Sequence, residues 1–252
     1  MAYGDTMMKT IRIWLFMVAA ALAPLVPAIA VADDKPPVVV ELYTSQGCSS
    51  CPPADKYMGE LIKRPDILGL TFHVDYWDYI GWKDPFALPE NTTRQRRHSS
   101  NLGLRNIYTP QMIIQGAANA VGSDPMDVDQ AIEKTRKLPK VPISLKHSTG
   151  DQLEISIPAA AYKGSAKILL IAFDDKHSTS VKRGENGGRQ LSHYNVVRKT
   201  KEIGTWTGQA VSLNASVAGM AAAGRNACAV LIQSEQTGHI LGAAQIRLDH
   251  SS

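Results

Sequence analysis

Apolar and polar positions keep one rhythm in the first half of the chain and another in the second. Val38, Val39, Val40 and Leu42 form a nearly unbroken apolar run, as expected of a strand buried on both faces. In "PPADKYMGELIKRPD", Ala54, Met58, Leu61 and Ile62 recur at helical spacing. Pro52 and Pro53 fall in that helix's first turn, where a missing N–H costs least, and Pro65 closes it. "ILGLTFHVDYW" reads as a second strand, which completes a βαβ unit with a right-handed crossover. A polar and aromatic segment follows, helical from about Pro89 to Asn101 and stopped by Gly103. "IYTPQMIIQGAANAVGS" carries a hairpin signal. "DPMDVDQAIEKTRK" predicts a helix capped by Asp124, with Pro125 at its first position. The order over residues 38–138 is therefore β-α-β-α-β-β-α.

After "KLPKVP", which reads as a linker, the period changes to two. Seven alternating runs, from "VPISLKH" to "ILGAAQIRL", are separated by turn residues such as "STGD" and "ENGGR". Short alternating strands at this spacing suggest an antiparallel sandwich or barrel. The expected layout is an α/β domain over residues 33–139 and an all-β, sandwich-like domain over residues 140–252.

The first 32 residues have a different character. Lys9 and Arg12 precede an apolar stretch from Ile13 to Ala23, and small-residue cleavage patterns end near Ala30 and Ala32. This is the layout of a secretory signal peptide, and Pro24 and Pro27 leave the run short for a membrane span. The expected location is periplasmic or secreted, with no stable membrane insertion after cleavage. Losing residues 1–32 removes Lys9, Arg12 and Asp5 and lowers the net charge of +4 by one. So mild a charge argues against a nucleic-acid partner.

Cys48 and Cys51, in "TSQGCSSCPPAD", stand where a strand gives way to a helix inside the βαβ unit. The N–H groups and partial positive charge of a helix N-terminus stabilise a thiolate, which makes Cys48 a candidate nucleophile and Cys51 its resolving partner. Closing a four-residue loop removes only roughly 2 kcal/mol of chain entropy, so a purely structural bond is weakly motivated. Two thiolates also suit Cu(I), a soft ion, with His73 as the first further ligand to suspect. A copper-binding module and a non-catalytic interaction protein therefore stand as alternatives to a redox enzyme. No other cofactor is expected.

Further candidates surround this pair. Asp75, Trp77, Asp78 and Trp82 lie just after the second strand, at the sheet end where ligands bind in α/β folds. Asp75 is a candidate for proton transfer or a turn aspartate. Arg94, Arg96, Arg97 and His98 read first as a solvated helix face. Arg189, His193 and Asn195 alternate onto one face of a strand that follows a Gly-Gly turn. Cys228 reads as a buried core thiol.

The stretches "VELYTSQGCSSCPPAD", "FHVDYWDYIGWKDPFA", "RQRRHSSNLGLRNIYTPQMIIQG" and "GENGGRQLSHYNVVR" resemble a family of secreted bacterial thioredoxin-like proteins of unknown function. The resemblance implies a thioredoxin-like α/β domain and an exported location, but no substrate. It also implies a cis peptide at Thr109-Pro110, beside the cysteine pair. Gly47, Ser49-Ser50 and Pro52 depart from thioredoxin proper. Under this reading Cys48, Cys51, Thr109 and Pro110 form the catalytic group, Asp75, Trp77, Trp82, Arg189 and His193 surround it, and protein or small-molecule thiols and disulfides are the partners.

Overall fold

The computed structural model describes Met1 and residues 35–248, apart from 219 and 221–224. The expected signal peptide lies outside the described residues. In chain order the elements are β1 (Val38–Thr44), α1 (Pro52–Leu61), β2 (Ile67–His73), a 3-10 turn (Asp78–Ile80), α2 (Pro89–Asn101), β3 (Gln111–Ile114), β4 (Ala118–Val121) and α3 (Pro125–Arg136). Seven strands follow: β5 (Ser144–Ser148), β6 (Gln152–Ile157), β7 (Ala166–Ser180), β8 (Gln190–Trp206), β9 (Val211–Ser216), β10 (Ala227–Ser234) and β11 (Ile240–Arg247). The element order read from the hydrophobic pattern is present in both halves. Asp124 caps α3 as expected, its carboxylate accepting from the N–H groups of Met126 and Asp127.

The expected arrangement of these elements is overturned. There is no thioredoxin-like α/β domain followed by a separate all-β domain. A single eight-stranded mixed sheet runs β11-β10-β7-β8-β2-β1-β3-β4 through both halves, and only β5, β6 and β9 form a second, three-stranded sheet. The described residues from Lys35 onward cluster as one unit.

The physical reason lies at β2. Both its edges are paired, with β1 along its whole length and with β8 at Thr71 opposite Val196, both parallel. That second seam has one ladder position, and side chains reinforce it. Thr71 Oγ1 donates to the Tyr194 carbonyl (2.6 Å), and Asn195 Nδ2 donates to the Gly69 carbonyl (2.8 Å). Helix α1 presses on the same seam. A Cβ on Gly59 would fall 2.6 Å from the Tyr194 ring, so that close approach requires glycine, and one on Gly69 would fall 2.5 Å from Met58 Sδ.

Alternation along the strands distributes the core. Val39 and Tyr43 of β1, Leu68, Leu70 and Phe72 of β2, Leu169 and Ile171 of β7, and Ala229 and Leu231 of β10 share one buried cluster. That cluster crosses the boundary between the expected domains. On the opposite face Val38, Val40 and Leu42 pack under α1 and α3. Ile168, Leu170 and Val230 pack there with Leu153 and Ile155 of the small sheet. Among the described residues no helix is long and apolar enough to cross a membrane.

Candidate functional site

Cys48 and Cys51 form a disulfide, with Cα atoms 5.4 Å apart, where the chain turns from β1 into α1. Both are buried, at 1% and 0% exposure, while Ser49 and Ser50 between them are exposed. Cys51 is the N-cap of α1, and its carbonyl accepts from the N–H groups of Ala54 and Asp55 (2.9 and 3.1 Å). The next two positions are Pro52 and Pro53, which have no N–H to offer. The free donors usual at a helix N-terminus, on which the sequence argument for a stabilised thiolate rests, are thus largely missing.

A buried polar group lies on the α1 side of the sheet. Asp55, one turn beyond Cys51, accepts from Thr44 Oγ1 (3.3 Å) and lies 3.3 Å from His193 Nδ1 of β8. The His193 and His73 rings meet edge to face at 4.5 Å. His73 Nδ1 pairs with Asp84 Oδ2 at 2.6 Å, and the same oxygen accepts from the Gln46 N–H (2.8 Å). Burial alone would raise the Asp84 pKa, but His73 and the backbone N–H groups of Gln46 and Phe86 outweigh it and hold it below its ordinary value. Burial alone would lower the His193 pKa, but Asp55, helped by Asp84, raises it. Asp55 Oδ1, His73 Nε2 and both ring nitrogens of His193 are buried without a hydrogen-bond partner. Unsatisfied buried polar atoms are uncommon and mark places where chemistry or strain is kept.

The other expected residues separate into near and remote. Thr109–Pro110 is cis. Gly122 lies between Ala54 of α1 and Pro110, which puts the proline beside the start of that helix. The Trp77 indole N–H donates to Thr109 Oγ1 (2.7 Å), and the Trp77 Cβ and carbonyl oxygen pack against Gly47. The Trp82 indole N–H donates to Gln46 Oε1 (2.9 Å). Asp75 pairs with α2 instead, accepting from Thr92 Oγ1 at 2.6 Å. Arg189 is exposed, with Nη1 donating to Asn186 Oδ1 (3.0 Å), while His193 is fully buried. Asn195 serves the β2–β8 seam.

The basic run on α2 is not one solvated face. Arg96 and Arg97 are exposed, but Arg94 and His98 are buried against Glu41 of β1. Cys228 is a core thiol, its pKa pushed up to about 11 by burial.

Sequence reading missed Gln46, Asp55, Asp84 and Asn186. Asp55 was within reach, since it lies four positions after Cys51 and helical spacing places such pairs on one face. Among the described residues no group of three or more His, Cys, Asp or Glu side chains is arranged to hold a metal ion.

The profile of the family described as "Protein of unknown function (DUF1223)" matches residues 39–233. The chain belongs to the DUF1223 family. The match spans the cysteine pair, the β2–β8 seam and His193. A crystal structure of a protein from Agrobacterium tumefaciens is similar to this DUF1223 chain at 33% identity and a TM-score of 0.74, covering 85% of this chain and 96% of that one. HBP35 of Porphyromonas gingivalis shares the fold at 14% identity and a TM-score of 0.63, over 86% of this chain and 77% of that one. A search of the curated proteins finds no match.

Proposed function

We propose that this chain is an exported thiol–disulfide redox protein that exchanges electrons with protein thiols through Cys48 and Cys51. The observation that carries the reading is a disulfide at the start of α1, on the same side of the sheet as the buried Asp55–His193 and His73–Asp84 pairs. Disulfides persist outside the reducing cytoplasm, which agrees with export. In the exchange an incoming thiolate attacks Cys48 Sγ, the Cys48–Cys51 bond breaks, and the electron pair leaves on Cys51 Sγ, which then takes a proton. A second thiolate of the partner then attacks the partner sulfur of the mixed disulfide and releases Cys48 as a thiolate, which leaves the partner oxidised and the pair reduced; in the opposite direction the Cys48 thiolate opens a partner disulfide, and Cys51 attacks Cys48 Sγ and releases the partner as a dithiol.

The direction of electron flow follows from what stabilises the reduced form. An oxidising pair needs a stabilised thiolate. Pro52 and Pro53 remove helix N–H donors, and the Glu185 carboxylate takes the Ser49 N–H between the two cysteines. Both features favour the disulfide over the thiolate, so the couple belongs at the reducing end of the scale. Equilibrating the mature protein in glutathione buffers and counting free thiols tests this. The expected result is a reversible couple near about −270 mV, at the reducing end, and not near −120 mV. If no reversible couple appears across the buffer range, the pair is structural and the redox reading fails.

A further inference from the structure

The disulfide is covered by the tip of the β7–β8 hairpin, residues 181–189. Asn186 of that tip is fully buried and donates both amide hydrogens to the cysteine loop, to the Gln46 carbonyl (3.0 Å) and the Cys48 carbonyl (2.9 Å). Glu185 Oε2 accepts from the Ser49 N–H (3.3 Å). Arg189 fixes the amide orientation by donating to Asn186 Oδ1 (3.0 Å). Gly184 packs against Ile80 and Trp82, the same turn that carries Trp77. The tip is knitted to itself by the Val181–Arg189, Gly188–Val181 and Gly187–Gly184 backbone bonds.

Two backbone carbonyls of the cysteine loop thus spend their hydrogen bonds on a side-chain amide, whose N–H groups are the same kind of donor as a peptide N–H. Lifting the tip leaves the Gln46 carbonyl unpaired and the Cys48 carbonyl with the Cys51 N–H alone (3.2 Å), unless a new donor replaces Asn186. An extended polypeptide brings such donors along with its thiol. A small aliphatic thiol brings no amide.

Building on the redox reading above, we propose that Asn186 is a specificity residue that holds the place of a substrate backbone N–H. The chain then reacts faster with thiols that carry peptide N–H groups, cysteines in extended polypeptides foremost and glutathione among them, than with small aliphatic thiols that carry none.

The test has two parts, both on the mature protein. The first measures the rate at which tris(2-carboxyethyl)phosphine reduces the disulfide. This reads access alone, since the phosphine is oxidised to its oxide and the two sulfurs take up protons whether or not the pair is a redox site. Asn186→Ala should raise the rate by roughly tenfold to a hundredfold, the equivalent of two hydrogen bonds, and Arg189→Ala by less. Circular dichroism checks that each variant is folded, and the exposed Arg189→Ala serves if Asn186→Ala is not. Rates equal to wild type in a folded variant overturn the cover. The second part compares exchange with an unstructured cysteine-containing peptide and with 2-mercaptoethanol at equal thiolate concentration. Wild type should prefer the peptide by at least about tenfold, and Asn186→Ala should lose most of that preference. An unchanged ratio overturns the specificity role. Failure of the glutathione titration defeats the redox reading and leaves the phosphine result standing, so the two failures are distinguishable.

Discussion

Two of the ionic groups that the sheet buries, one on each face, are built on opposite terms. On the α2 face, Glu41 is fully enclosed and saturated. Arg94 grips both carboxylate oxygens through Nη2 and Nε, Tyr43 OH donates to Oε2 (2.7 Å), and His98 lies 3.1 Å away. Arg94 continues to Gln233 Oε1 (2.9 Å) and so ties α2 to β10. On the α1 face, Asp55 is held by one long hydrogen bond from Thr44, and its second oxygen faces His193 without an aligned hydrogen bond. Burial alone would raise the Glu41 pKa, yet Arg94 and His98 drive it far below the usual carboxylate range. A saturated carboxylate keeps its charge under all ordinary conditions and works as a fastener. A loosely held one, beside a histidine, is no such fastener.

The sharpest way to break this comparison is to remove the fastener. Glu41→Gln leaves Arg94 and His98 buried without their anion and should cost about 3–5 kcal/mol in a urea or guanidinium titration. If it costs less than about 1 kcal/mol, the two groups are not different in kind. Asp55→Asn should change stability by less than about 2 kcal/mol. Its larger effect should be on the Cys48–Cys51 potential, whose dependence on pH should differ from wild type. Equal pH slopes for the two proteins would remove Asp55 from the redox chemistry.

The two groups should also respond to pH in opposite directions. The folded-state pKa of Glu41 is depressed, so its contribution is present above about pH 4.5 and is lost as pH falls toward the folded value. The folded-state pKa of His193 is raised, so its contribution is present below about pH 6.5 and is lost as pH rises through the folded value. Denaturant midpoints across pH should therefore show an acid-side decline that Glu41→Gln flattens and a decline above pH 6.5 that His193→Gln flattens. Smaller effects complete the series. Trp82→Phe, which leaves Gln46 Oε1 without its donor, should cost about 1 kcal/mol. Arg96→Ala and Arg97→Ala, on the exposed side of α2, should stay within about 0.5 kcal/mol of wild type.

The same contrast separates what the sequence could tell from what it could not. Strands and helices were legible because burial imposes a period, as in Val38–Leu42 and the seven alternating runs after residue 140. The cysteine pair and the cis Thr109–Pro110 were legible through local chemistry and family resemblance. Sheet order was not, because alternation in β8 says which residues point inward and nothing about which strand lies alongside. Asn186 was hidden for a related reason. In "ENGGR" it reads as a turn residue, and its partners Gln46 and Cys48 lie 140 and 138 positions away. Arg94 and His98 were misjudged because charge on a helix suggests solvent, and the counter-charge was an isolated glutamate in an apolar strand.

The position of β2 between β1 and β8 sets a timetable for synthesis. When the first 140 residues have left the ribosome, β2 has its β1 partner and lacks its other one, so a seven-residue strand presents an open edge. The apolar face that β7 and β10 will cover is bare at the same moment. Cys48 and Cys51 are then uncovered, since residue 186 has not been made. The nascent N-terminal half is thus sticky and reactive, and it becomes neither only when the last third of the chain arrives. A chaperone that holds the chain during that interval would protect an edge and a dithiol together.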